Sequence, residues 1–220
     1  MLRYPSVLFP FIYYTLGWTF INVMPAISLA AIYTNFYNLQ SGAIGACLGV
    51  SLIIGSVLGE CLAGKASDFV MYRLALRSPT KERKPEYRIP LTFLSALFMP
   101  AGLVIFGCTV GQSSSFITPL IGLSVGVFGL QIASTCLYAY ISDCYKPQTP
   151  ESGVLFNLGR GLSFVVGYFA LPFAENVGYA GAWGTFAAAL FVGWLPVAGL
   201  MWYGELWRKR CGEPGFHGDL

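Results

Sequence analysis

Charge is scarce in this chain. Only 10% of its 220 residues are Asp, Glu, Lys or Arg, against about 25% in ordinary soluble domains. There is too little polar surface here to cover a water-soluble globule. Histidine occurs once, at His217. The six cysteines (Cys47, Cys61, Cys108, Cys136, Cys144, Cys211) show no C-x-x-C spacing, so neither a zinc site nor a disulfide framework is expected. Nucleophile elbow, phosphate loop and repeated pore loop are all missing. These absences argue against an enzyme and against a channel. They leave no expectation of a cofactor, a metal or a nucleic-acid partner.

What the chain has is apolar length. Hydrophobic residues make up 55% and the mean hydropathy is +0.63. A bilayer core of about 30 Å needs about 20 apolar residues in a helix. Six runs reach that length, near 6–33, 41–64, 89–110, 116–142, 152–174 and 182–204. The first follows Met1 and Arg3 but runs well beyond the roughly 7–15 apolar residues of a signal peptide, so it reads as a span. The expected class is an all-α membrane protein with six transmembrane helices in one domain, 1–205. A loop at 65–88 and a tail at 206–220 complete it.

The basic residues are sorted. Arg3 precedes span 1. Lys65, Arg73, Arg77, Lys81, Arg83, Lys84 and Arg88 lie between spans 2 and 3. Lys146 and Arg160 lie before and early in span 5, and Arg208, Lys209 and Arg210 follow span 6. The connections at 34–40, 111–115 and 175–181 contain none. Short cytoplasmic loops collect Lys and Arg. The pattern therefore predicts a multi-pass protein, with the 65–88 loop, the tail and both termini in the cytoplasm.

Spans 3 and 6 hold almost nothing polar, and such helices can face lipid on most sides. Spans 1, 4 and 5 differ. Tyr14, Trp18 and Asn22 share a helical face, as do Gln131, Thr135, Tyr138 and Ser142, and as do Asn157, Arg160, Phe164 and Tyr168. Polar groups in hydrocarbon must face protein or a wet cavity. The three stripes predict either a shared lined pathway or helix-to-helix hydrogen bonding, and their number favours the pathway. Arg160 either snorkels to the interface or is held by a carboxylate, with Asp143 the nearest candidate. In span 2, Gly45 with Gly49 and Gly55 with Gly59 have the small-xxx-small spacing of close helix contacts. Pro25, Pro100, Pro172 and Pro196 predict bends.

Ser56, Glu60, Gly64 and Asp68 run at spacing four from span 2 into the loop, with Arg73 and Arg77 beyond. Gly64 would admit a neighbouring helix. Asp68 could accept hydrogen bonds at a helix N-terminus or pair with arginine. Here the chain resembles the major facilitator superfamily, whose loop between helices 2 and 3 carries G-x-x-x-D-x-x-G-R-[KR], with a degraded copy between helices 8 and 9. Gly64, Asp68 and Arg73 match. Met71 replaces the second glycine and Phe69 follows the aspartate, which fits the degraded copy. PEYRIP (85–90), YISDCY (140–145) and ESGVLFNLGRG (151–161) resemble fungal drug:proton antiporters.

The resemblance implies a twelve-helix fold in two halves, with spans 1 to 6 as helices 7 to 12 and an N-terminal six-helix half as partner. It makes Gly64, Asp68 and Arg73 a conformational-switch motif, networked with Asp143 and Glu151. It makes spans 3 and 6 peripheral. It also implies a plasma-membrane transporter of small organic solutes working by alternating access. Tyr14, Trp18, Asn22, Gln131, Thr135, Tyr138, Asn157 and Arg160 are the pathway candidates. Glu60 and Asp143 are candidates for proton coupling or are structural. A truncated, non-transporting membrane protein or assembly partner is the alternative.

Overall fold

A computed structural model describes residues 2–37, 39–77, 84–110 and 115–212. Lys81 and Arg83 of the basic loop, the centre of the 111–115 connection, and the tail from 213, with His217, lie outside them. Every regular element among the described residues is helical.

Span 1 joins α1 (Pro5–Gly17) to α2 (Met24–Tyr37) through a π-helical stretch, Trp18–Val23. The cause is Pro25. It has no N–H to donate and its ring collides with the carbonyl four residues back, and a local widening of the helix absorbs both. Span 2 is α3 (Ser41–Arg77). Span 3 begins as a 3₁₀ turn, Pro85–Leu91, and continues as α4 (Thr92–Thr109). Span 4 is α5 (Ile117–Cys144). After a short 3₁₀ turn at Lys146–Gln148, span 5 runs through α6 (Thr149–Leu162), a 3₁₀ segment at Ser163–Tyr168 and α7 (Ala170–Val177). It bends by 44° at Phe169, three residues before Pro172. Span 6 is α8 (Tyr179–Cys211), which passes Pro196 without a break. Five spans are continuous, and the bent pair makes the sixth.

The helices outrun their apolar stretches. α3 has 37 residues, about 55 Å at 1.5 Å per residue, so the segment expected as loop from 65 is helical to Arg77. α8 likewise carries its axis through the start of the expected tail, ending on Arg208, Lys209 and Arg210, cations that suit a helix C-terminus.

α5 is the hub, packed along α3 and α4, while α8 lies against α4 and α1, and α6 against α1. Gly55 and Gly59 make the α3–α5 contact: a Cβ on Gly55 would lie 2.5 Å from the Ser124 carbonyl, and one on Gly59 2.9 Å from that of Phe128. Gly45 and Gly49, with the same spacing, face open space. Some buried polar atoms inside the bundle find partners away from water, whereas others, Trp183 Nε1 among them, have none among the described residues. Tyr13 Oη lies 3.1 Å from Ser95 Oγ, and Trp194 Nε1 donates to Thr92 Oγ1 at 3.1 Å. Span 3 is not peripheral within this bundle. Half of its most apolar window is buried, against 22% for α3. Apolarity alone cannot separate a lipid neighbour from a helix neighbour, because lipid tails are as apolar as leucine.

Alternating direction brings the start of span 1 to the ends of spans 4 and 6. Tyr4 packs on Tyr145, and Phe9 on Trp207. At the opposite end Tyr33 Oη, late in span 1, donates to the Phe116 carbonyl at 2.7 Å, at the start of span 4.

Candidate functional site

Three groups of polar side chains stand out. The first is centred on Arg160, in α6. Gly159 presses against α1, where a Cβ would lie 2.4 Å from Thr15 Oγ1, and this close approach brings Arg160 to span 1. Arg160 Nε donates to Tyr14 Oη at 2.6 Å, and the guanidinium lies 4.2 Å from the centre of the Trp18 ring. Phe156 meets Tyr14 edge-on at 4.5 Å, and Tyr138 lies beyond it. A cavity of about 200 Å³ opens here, lined by Tyr14, Ser134, Tyr138, Gly153, Phe156, Asn157 and Arg160. Arg160 does not pair with Asp143, which is held by Arg88. Among the described residues no carboxylate reaches Arg160.

The second group is Glu60 with two donors from α5. Gln131 Nε2 and Thr135 Oγ1 both bond Glu60 Oε2, at 2.7 and 2.8 Å. Gln131 is central in α5, so Glu60 sits near mid-span. The sequence placed it by the end of an apolar run, but α3 continues well past that run. Asn22 and Gln131 line neither this cavity nor each other's surroundings: Gln131 and Thr135 serve Glu60. Asn22 lies within the π-helical stretch Trp18–Val23, whose wider hydrogen-bond spacing breaks the expected stripe with Tyr14 and Trp18.

The third group closes the basic end. Arg88 Nε donates to Asp143 Oδ2 at 2.7 Å, while its Nη1 donates to Asp68 Oδ1 at 2.9 Å and Ser67 Oγ at 3.0 Å. One guanidinium thereby ties spans 2, 3 and 4. Asp68 therefore pairs with Arg88 and not with Arg73, whose guanidinium lies over the Phe69 ring. Gly64 faces open space, so no described helix uses the gap it leaves. Glu151 makes no ion pair among the described residues. Beside this group Arg208 pairs with buried Glu86, and Glu205 takes Lys84 at 2.6 Å and Lys209 at 2.7 Å. The hydrogen bond and charge of Glu205 hold the Lys84 ammonium above its ordinary range. Burial pushes the nearby Tyr145 phenol up to about 12. Among the described residues no cluster could hold a metal ion.

The sequence reading missed Arg88, Ser134, Phe156 and Gly159. Arg88 was legible only as one more loop cation. Gly159 was legible only as one glycine of many.

No family model and no solved structure matches the chain. Curated relatives do. The chain is 31% identical to the MFS-type transporter oryF of Aspergillus oryzae over 204 residues, which is 90% of this chain and 41% of the relative. The chain belongs to the major facilitator superfamily. The efflux pump radE of Floropilus chiversii is 28% identical over 190 residues, 81% of this chain and 33% of that pump. The MFS-type transporter penM of Penicillium rubens is 32% identical over 118 residues, 54% of this chain. The chain spans well under half the length of these relatives. Its helical bundle of up to six spans is half of a major facilitator fold.

Proposed function

We propose that this chain forms the C-terminal half of a secondary transporter that moves small organic solutes by alternating access. One observation carries the reading. Arg160 and Asn157 on span 5, and Glu60 on span 2, are exposed from the bundle well inside their spans. Charged and amide groups at that depth are costly against lipid and favour a protein or aqueous neighbour. A second six-helix bundle facing this one would enclose them, with Tyr14, Trp18, Tyr138, Asn157 and Arg160 lining the solute path. The degraded loop motif around Gly64, Asp68 and Arg73 supports the assignment to the second half.

Arg88, Asp68 and Asp143 are the conformational latch in this reading, at the cytoplasmic end with both termini. The sorting of lysine and arginine supports that orientation. The membrane is the plasma membrane. Glu60 is the residue for proton coupling. It is a carboxylate near mid-span with two neutral donors on one oxygen and no cation among the described residues, whereas Asp143 is committed to Arg88.

The rival is a membrane protein that does not transport even when completed. Uptake of a panel of small organic solutes into proteoliposomes separates the two. The chain alone should give no saturable uptake, and the chain with a second six-helix half should give it. Saturable uptake by the chain alone, or none by the completed pair, contradicts the proposal.

A further inference from the structure

Arg160 holds a full positive charge about 16 Å along span 5 from Thr149, at 1.5 Å per residue. Its partners are a phenol hydroxyl and an indole face. Both moderate a cation, but neither neutralises it. The carboxylate that the sequence offered, Asp143, is taken by Arg88. The guanidinium is thus anchored through Nε and one face, and its two terminal nitrogens make no other hydrogen bond among the described residues. Those nitrogens form the edge that binds a planar carboxylate in a fork. A cavity opens beside it. It holds about 200 Å³ and is walled by the rings of Tyr14, Tyr138 and Phe156, with Asn157 and Ser134 as polar groups.

We propose that this site binds a small organic anion, an aromatic or otherwise planar carboxylate. The carboxylate would accept from the Arg160 Nη groups and the ring would pack among Tyr14, Tyr138 and Phe156. The inference rests on the solute pathway proposed above and adds the chemical class of the solute. Arg160 sets the preference for negative charge. The aromatic walls supply apolar contact area, which any ring of similar shape would use equally.

The test compares three probes with the same ring: 2-naphthoate, 2-naphthalenemethanol and 2-naphthalenemethylamine. Binding to the full chain in lipid nanodiscs is measured by isothermal titration, with circular dichroism melts to check the fold of each variant. Naphthoate should bind about ten-fold or more tighter than the alcohol, as expected for a charge-assisted hydrogen bond, and the amine most weakly. Arg160→Gln should bring naphthoate to the affinity of the alcohol while leaving the alcohol within about two-fold. Arg160→Lys should keep part of the preference. Equal binding of alcohol and naphthoate, tightest binding of the amine, or naphthoate affinity unchanged by Arg160→Gln overturns the anion assignment and leaves the pathway standing. Saturable binding of none of the three overturns the anion assignment, while the pathway itself stands or falls with uptake by the completed pair.

Discussion

Arg88 and Asp143 join span 3 to span 4 through a 2.7 Å charge-assisted hydrogen bond, and the same guanidinium reaches Asp68 on span 2. The arginine side chain is only 13% exposed and Asp143 is 34% exposed, whereas Asp68 is 71% exposed. The two bonds therefore differ in weight. Arg88→Ala leaves a half-buried carboxylate without its partner, a loss of about 1–3 kcal/mol, and should lower the melting temperature clearly. Arg88→Ala with Asp143→Ala should be less damaging than Arg88→Ala alone, because no carboxylate is stranded. Thermal melts of the singles and the double decide it, and a double that is the sum of the singles contradicts the pairing.

Asp68→Asn should leave the fold nearly intact, since an exposed pair contributes about 0–1 kcal/mol. In a completed transporter the same change should slow turnover at normal abundance, because small differential energies shift two access states. Surface quantification beside transport rate checks this. Normal turnover would reduce Asp68 to a solvated helix group.

Gly55→Val and Gly59→Val should destabilise the bundle by about 1–3 kcal/mol through overpacking against α5. Gly45→Ala and Gly49→Ala should be close to neutral in the chain alone, because a Cβ there meets nothing within 4 Å. Melts of the four variants in one lipid test the contrast. Equal effects would mean that the α3–α5 contact is not where it stands here.

Glu60→Gln should keep solute binding and remove the dependence of transport on a pH gradient, since an amide can keep an acceptor for Gln131 and Thr135 but cannot release a proton. Uptake by the completed transporter with and without the gradient measures it. Retained coupling in the variant assigns Glu60 a structural part.

The fold was legible because its signals are local. Apolar length located the six spans, and the spacing of Gly55 and Gly59 anticipated a close helix contact. The same spacing misled at Gly45 and Gly49, since spacing does not say whether a neighbour is present. Partner choice was illegible for a related reason. Asp68 was read with Arg73 because they are close in sequence, yet five residues apart on a helix they do not share a face. Arg88 reaches Asp68 from the next span. Once Arg88 occupies Asp143, Arg160 loses its expected partner and turns to Tyr14 and Trp18. Those three residues were each picked out by the stripes, but nothing in a single sequence says which stripes meet.

Water access to span 5 bears most directly on the claim that this bundle is half of a solute pathway. Asn157→Cys and, on span 6, Leu195→Cys are compared in a variant without other cysteines, in native membranes and with the second half present. Both positions are exposed in the bundle. The account predicts that a charged, membrane-impermeant thiol reagent modifies Asn157→Cys and not Leu195→Cys. It also predicts that 2-naphthoate slows the reaction. Protection of Asn157→Cys, or equal reaction of the two, would contradict it.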